Sequence, residues 1–163
     1  MSSWLDEEDQ RTGARDASQA PVLICYDGSS GSIRAAKAAG RLFAGRPAIV
    51  LHVSGEAPEH VHTTSVEAVR QELIEEVRVA TRRDAKVIAD EGARITNDAG
   101  LKATPLVVEA VHGLANAILH VARDEAVAVI IVGRPHRTGL GRLVRNSVSR
   151  FLVDEGTAPV VII

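Results

Sequence analysis

Apolar residues along the chain fall into two alternating patterns: short unbroken runs, and longer stripes at helical spacing. The first run, Val22 to Tyr26, follows Pro21 and reads as a buried strand. Asp27-Gly28-Ser29-Ser30 makes the turn after it. Ser30 or Ser32 is placed to cap a helix whose apolar side includes Ile33, Ala36, Leu42 and Phe43. Gly45 and Pro47 stop that helix, and Ala48 to Val53 predicts a second strand. Such a βαβ unit crosses over right-handedly and builds a parallel sheet. After a polar loop, Val66, Val69, Leu73, Val77, Ala80, Ile88 and Ile95 predict a long helix over 66–97. Glu72, Glu75, Glu76, Arg78, Arg82 and Arg83 form its solvated side.

Gly100 ends the long helix, and a third strand runs over 104–109. Pro105 has no N–H to give a ladder, which assigns this strand to a sheet edge. Gly113 precedes a helix over 114–124 with Leu114, Ile118 and Val121 facing inward. The run Val127 to Val132 is too short for a typical helix and is rich in β-branched residues, as a strand buried on both faces should be. Gly133 stops it. A basic, glycine-containing loop extends through Arg145, and Asn146 or Ser147 is expected to cap a last helix bearing Val148, Phe151 and Leu152. Pro159 to Ile163 is a final apolar strand. The order βαβαβαβαβ is that of a doubly wound α/β layer.

A chain of 163 residues gives one domain with room for a core. Residues 1–20 are polar and charged, with Trp4 and Leu5 their large apolar groups. They are expected to be a flexible arm, with 21–163 as the domain. A net charge of −2 argues against a general nucleic-acid binder, and 2% aromatics leave little for base-stacking platforms. No apolar run reaches the length of a membrane span and no signal pattern opens the chain, so the expected location is the cytoplasm. Cys25 stands alone inside a strand pattern and reads as a buried structural thiol. His60 and His62 have no further ligands at metal-binding spacing, and His52, His112 and His120 read as structural.

Candidate chemistry gathers after the first and fourth strands. Strand, flexible loop and helix N-terminus together collect backbone N–H groups that can hold a phosphate. The same pattern also describes an ordinary βα connection with solvated arginines. Asp27 can accept hydrogen bonds from a sugar or an amine, or can cap its own Asp-Gly turn. The chain has no G-x-x-x-x-G-K-[ST] loop, and Gly139-Leu140-Gly141 makes a poor dinucleotide fingerprint. There is no G-x-S-x-G elbow and no HExxH motif.

YDGSSGSIRAA at the start, LHV at the end of strand two, and VIIVGRPHRTGLGRLVRNSVSRFLV…APVVII near the end resemble the universal stress protein family over residues 21–163. The resemblance implies a Rossmann-like fold of the adenine-nucleotide α-hydrolase kind. Its five-stranded parallel sheet has order 3-2-1-4-5 and pairs as a homodimer through the last strand, here Val160, Val161, Ile162 and Ile163. Nucleotide-binding members carry G-x2-G-x9-G-[ST] after strand four, and this chain has Gly133, His136, Asn146 and Ser147 there, followed by Val148. Two of three glycines are therefore replaced. Asp27 and Val53 match family positions that contact ribose and adenine. His136 and Asn146 put side chains where a triphosphate would run, whereas Arg134, Arg137, Arg142 and Arg145 are able to supply charge-assisted contacts instead. The implied ligand is ATP or another adenine nucleotide, with or without Mg, held by a sensor or regulatory protein with weak ATPase activity at most. The alternative is a dimeric interaction module of the same fold, signalling through a protein partner without nucleotide. Neither nucleic acid nor membrane is an expected partner.

Overall fold

The computed structural model describes residues 19–55, 67–134 and 141–163, of which 67–78 and 141–147 by their backbone. The predicted arm up to residue 18, His60, His62, His136 and Arg137 lie outside the described residues. The elements in order are β1 (Val22–Cys25), α1 (Ser30–Leu42), β2 (Pro47–Ser54), α2 (Glu67–Asp98), β3 (Lys102–Glu109), α3 (Leu114–Asp124), β4 (Val129–Val132), α4 (Gly141–Glu155) and β5 (Val160–Ile162). All strands are parallel, in the order β3-β2-β1-β4-β5. Pro105 sits on the edge strand, where a missing N–H costs no ladder bond.

Strand alternation sorts the core onto two faces. Val22, Ile24, Tyr26 and Val50 pack with Ala35, Ala39 and Ala93 of α1 and α2. Leu23, Leu51 and Ile130 pack with Ile118 and Leu152 of α3 and α4. Both faces of the central strands are thus dry, which explains the unbroken apolar runs. No helix among the described residues is long and apolar enough to cross a membrane.

Four local expectations are corrected. Helix α1 is capped by Ser29, whose Oγ accepts the Ser32 N–H at 3.3 Å, because Asp27 has already turned the chain by accepting the Ser29 N–H at 3.0 Å. Leu42, assigned to the buried side, is 60% exposed in the last turn, while its neighbour Phe43 packs on the core. In α2 the described buried positions are Ala85, Ala89, Gly92, Ala93 and Thr96, and Ala80 is exposed. The helix lies so close that a Cβ on Gly92 would stand 2.6 Å from the Tyr26 ring, so small residues make the contact and Ile88 and Ile95 flank it.

The fourth correction bears on function. Helix α4 begins at Gly141, five residues before Asn146. Asn146 and Ser147 are therefore inside the helix and do not cap it. Arg142, Leu143, Val144 and Arg145 include good helix formers, and asparagine interrupts a helix less than glycine does, so the helix runs on upstream. Phe151 is partly exposed, while Leu152 is fully buried.

Candidate functional site

In a doubly wound sheet the ligand crevice opens beyond the carboxyl ends of the strands where the order reverses. Here β1 pairs with β2 on one side and β4 on the other, so the reversal lies between β1 and β4. A cleft of about 280 Å³ opens at that place. Its floor is apolar, made by Leu51, Val53, Ile118, Val132 and Val148. Asp27, Ser29, Ser32, His52 and Gly133 form its polar rim.

Serines and the aspartate build the rim on the α1 side. Asp27 Oδ1 closes the turn through the Ser29 N–H, and Ser32 Oγ donates to the Ser29 carbonyl at 2.9 Å. Both readings of Asp27 remain compatible, since a carboxylate accepts through more than one lone pair. On the other side, the chain leaving β4 crosses directly over the first turn of α1. A Cβ on Gly133 would lie 2.4 Å from the Gly31 carbonyl carbon, and one on Gly31 would lie 2.5 Å from the Arg134 carbonyl oxygen. Two glycines thus bring the β4 exit and the helix N-terminus into backbone contact. Arg34 Nη2 then donates to the Arg134 carbonyl at 3.3 Å, and the Arg134 N–H donates to the Ile163 carbonyl.

Of the sequence-assigned residues, Asp27, Val53, Gly133 and Val148 meet in this cleft. Arg134 stands next to it, exposed. Asn146, Ser147 and Arg145 lie along α4, where N–H groups beyond the first turn are committed to carbonyls four residues earlier. Sequence reading missed Ser29, Ser32, Arg34 and the α3 wall. The SS-G-S string was a signal for the serines, whereas Ile118 looked like any core position. Leu114, expected to face inward, is 40% exposed because it stands at the cleft mouth. Among the described residues no group of three metal-ligating side chains occurs.

Cys25 and Tyr26 both hold their protons firmly. Burial, then the Asp27 charge, pushes the Cys25 thiol up from 9.0 to about 12. Burial, then Glu91, pushes the Tyr26 phenol up from 10.0 to about 12. The stability that these raised values represent is whole below pH 9.0 and is lost as the pH climbs through about 12. Urea midpoints are therefore expected to fall steadily across that alkaline window. Cys25, expected to be buried, is half-buried and lines the cleft. At neutral pH it nonetheless stays almost wholly a thiol, so iodoacetamide should alkylate the folded chain far more slowly than the unfolded one; equal rates would show an ordinary thiol.

A family model described as the universal stress protein family matches residues 20–163. The chain belongs to this family. No curated protein matches the chain. Solved structures of similar fold include hypothetical protein MJ0577, with 23% identity, a TM-score of 0.65, and coverage of 88% of this chain and 94% of that one. A universal stress protein in complex with cAMP has 17% identity, a TM-score of 0.60, and coverage of 89% and 96%. The universal stress protein from Archaeoglobus fulgidus in complex with dAMP has 20% identity, a TM-score of 0.58, and coverage of 88% and 96%. At these identities the likeness is one of fold.

Proposed function

We propose that this universal stress protein is a cytoplasmic sensor or regulatory protein that binds an adenine nucleotide in the cleft between β1 and β4. The observation that carries this reading is the pairing of an apolar floor with a carboxylate rim at the reversal of the sheet. A base fits against Val53, Ile118 and Val148, and ribose hydroxyls fit the acceptor Asp27. A cleft of about 280 Å³ stands at the low end of the roughly 300–1,000 Å³ typical of ligand pockets. It suits a nucleoside, with the first phosphate directed past Gly133 toward Arg34 and Arg134, away from the Asp27 charge. Relatives of the same fold solved with cAMP and with dAMP add support. Among the described rim residues, Asp27 accepts the Ser29 N–H and His52 Nδ1 is bonded to the Tyr26 carbonyl, so binding without turnover is the expected behaviour. Calorimetric titration with ATP, AMP and GTP, beside a phosphate-release assay, tests it. Heat with the adenine nucleotides and no steady release supports the reading; no binding by any of them sinks it.

A second reading, a dimeric interaction module, draws on β5. This strand is the sheet edge opposite β3. Ile130 N–H donates to Pro159, and Ile163 N–H donates to Val132. Odd-numbered residues of β5 therefore bond to β4, and the peptide groups of Val160 and Ile162 face outward. Val160, Val161 and Ile163 pack on the chain's own core, while Ile162 is 43% exposed. We propose that a second copy pairs antiparallel along this edge, which would close it by two-fold symmetry. Ile162→Pro removes an outward N–H without touching the β4 ladder, and is expected to give a folded monomer by sedimentation. A wild-type chain that is monomeric at micromolar concentration would overturn the dimer.

A further inference from the structure

We propose that His52 is a positioning residue that keeps the end of β2 open toward the cleft. Its consequence for ligand rests on the nucleotide reading above, but its structural part does not. Residues of a strand in a parallel sheet bond alternately to the neighbours on either side. Tyr26 N–H donates to the Leu51 carbonyl at 2.9 Å, and Ala110 N–H donates to the Ser54 carbonyl at 3.1 Å. Odd-numbered residues of β2 therefore turn their peptide groups to β1, and even-numbered ones to β3.

Register between β1 and β2 ends at the pair Cys25 and Leu51. Val53 is the next odd position, and the Tyr26 carbonyl is the acceptor that a continuing ladder would offer its N–H. That carbonyl is bonded instead to His52, whose Nδ1 lies 2.9 Å away. Among the described residues, no backbone bond joins Val53 to Tyr26. A carbonyl oxygen can only accept, so Nδ1 carries the hydrogen. The side chains of Leu51 and Val53 lie on the α3 and α4 face. Alternation therefore brings the ring to the carbonyl from the α1 and α2 side and leaves the apolar floor clear.

One side-chain bond thus has two effects. It substitutes for the ladder bond at the point where the strands part, so the Val53 peptide faces the cleft without a β1 partner. Together with the bond from the Asp27 N–H to Ser32 Oγ at 3.4 Å, it also fixes the plane of the Tyr26–Asp27 peptide, and with it the turn that presents Asp27. Without the ring, the Tyr26 carbonyl is left unsatisfied and the cheapest acceptable donor is the Val53 N–H. The ladder then closes by one residue and the cleft narrows at its base.

Amide hydrogen exchange of ¹⁵N-labelled protein without nucleotide tests this directly. His52→Val is expected to slow exchange at Val53 by about tenfold, the protection that one ordinary hydrogen bond gives. ATP affinity should fall by a similar factor. His52→Asn, whose Nδ2–H occupies nearly the place of the ring Nδ1–H, should keep wild-type exchange and affinity. His52→Gln carries its donor one bond further out and should behave like valine. Ring ¹⁵N shifts of the wild type should show hydrogen on Nδ1. Val53 already protected in the wild type, equal exchange in the Asn and Gln variants, or hydrogen on Nε2 alone would each overturn the proposal. The ring shifts and the Asn and Gln pair decide the matter even if His52→Val does not fold. Should ATP bind none of the proteins while Val53 exchange responds as described, the nucleotide reading fails and the role of His52 stands.

Discussion

Gly133→Ala is expected to destabilise the domain by about 3 kcal/mol, the upper end of the range for overpacking, and to abolish ATP binding with it. The new Cβ would stand 2.4 Å from the Gly31 backbone and 2.6 Å from the Ser32 nitrogen. Neither neighbour is the end of a flexible side chain, so relief requires that β4 and α1 separate. Their separation would pull the rim apart between Ser32 and Gly133, both of which line the cleft. Gly31→Ala attacks the same contact from the other side, through the Arg134 carbonyl, and should cost a comparable amount. Gly55→Ala, with nothing within 4 Å of the added Cβ, is the control and should be close to neutral. Urea midpoints at an unchanged slope measure the first effect and ATP titration the second. A stable Gly133→Ala protein that binds ATP normally would mean that the β4 exit does not lie on α1.

Backbone packing of this kind explains what sequence reading reached and what it did not. Strand positions were legible because Val22–Cys25 and Val129–Val132 are buried on both faces, and only unbroken apolar runs satisfy that. The edge place of β3 was legible because Pro105 has one fewer donor than any other residue could have. Helix α2 was legible as a helix but not in its contacts: hydrophobic pattern counts large side chains, while Ala85, Ala89 and Gly92 are buried for being small. The start of α4 was misplaced for a related reason. Asn146 suits a cap by its type, yet no breaker stands between Gly141 and Asn146, and the helix claims the whole stretch. In the cleft, Asp27, Val53 and Gly133 could be matched one by one to family positions. Ser32, Arg34 and the bond from His52 to Tyr26 could not, because they depend on which carbonyl lies within reach after folding.

The start of α4 at Gly141 bears directly on the two replaced glycines. Asp27 and Val53, the residues proposed to meet ribose and base, line the cleft, but the N–H groups of Asn146 and Ser147 are inside α4 and are committed to it. ATP and AMP are therefore expected to bind the wild-type chain with similar affinity, the β- and γ-phosphates adding little. Converting His136 and Asn146 together to glycine gives the loop freedom at one end and weakens the helix at the other, since glycine costs about 1 kcal/mol relative to alanine in a helix interior. Amides near Ser147 then become available to phosphate oxygens. ATP affinity is expected to rise by about 10- to 100-fold, the equivalent of one charge-assisted hydrogen bond, while AMP affinity stays put. Titration of both ligands against both proteins reads the difference. If arginines have already replaced the lost amides, the pattern reverses. Wild type then prefers ATP over AMP, the preference fades as salt screens the loop, and Arg134→Ala or Arg145→Ala lowers it by about 1–3 kcal/mol. In that event the double-glycine chain gains nothing, and the phosphate site of this protein is built from guanidinium groups in place of backbone.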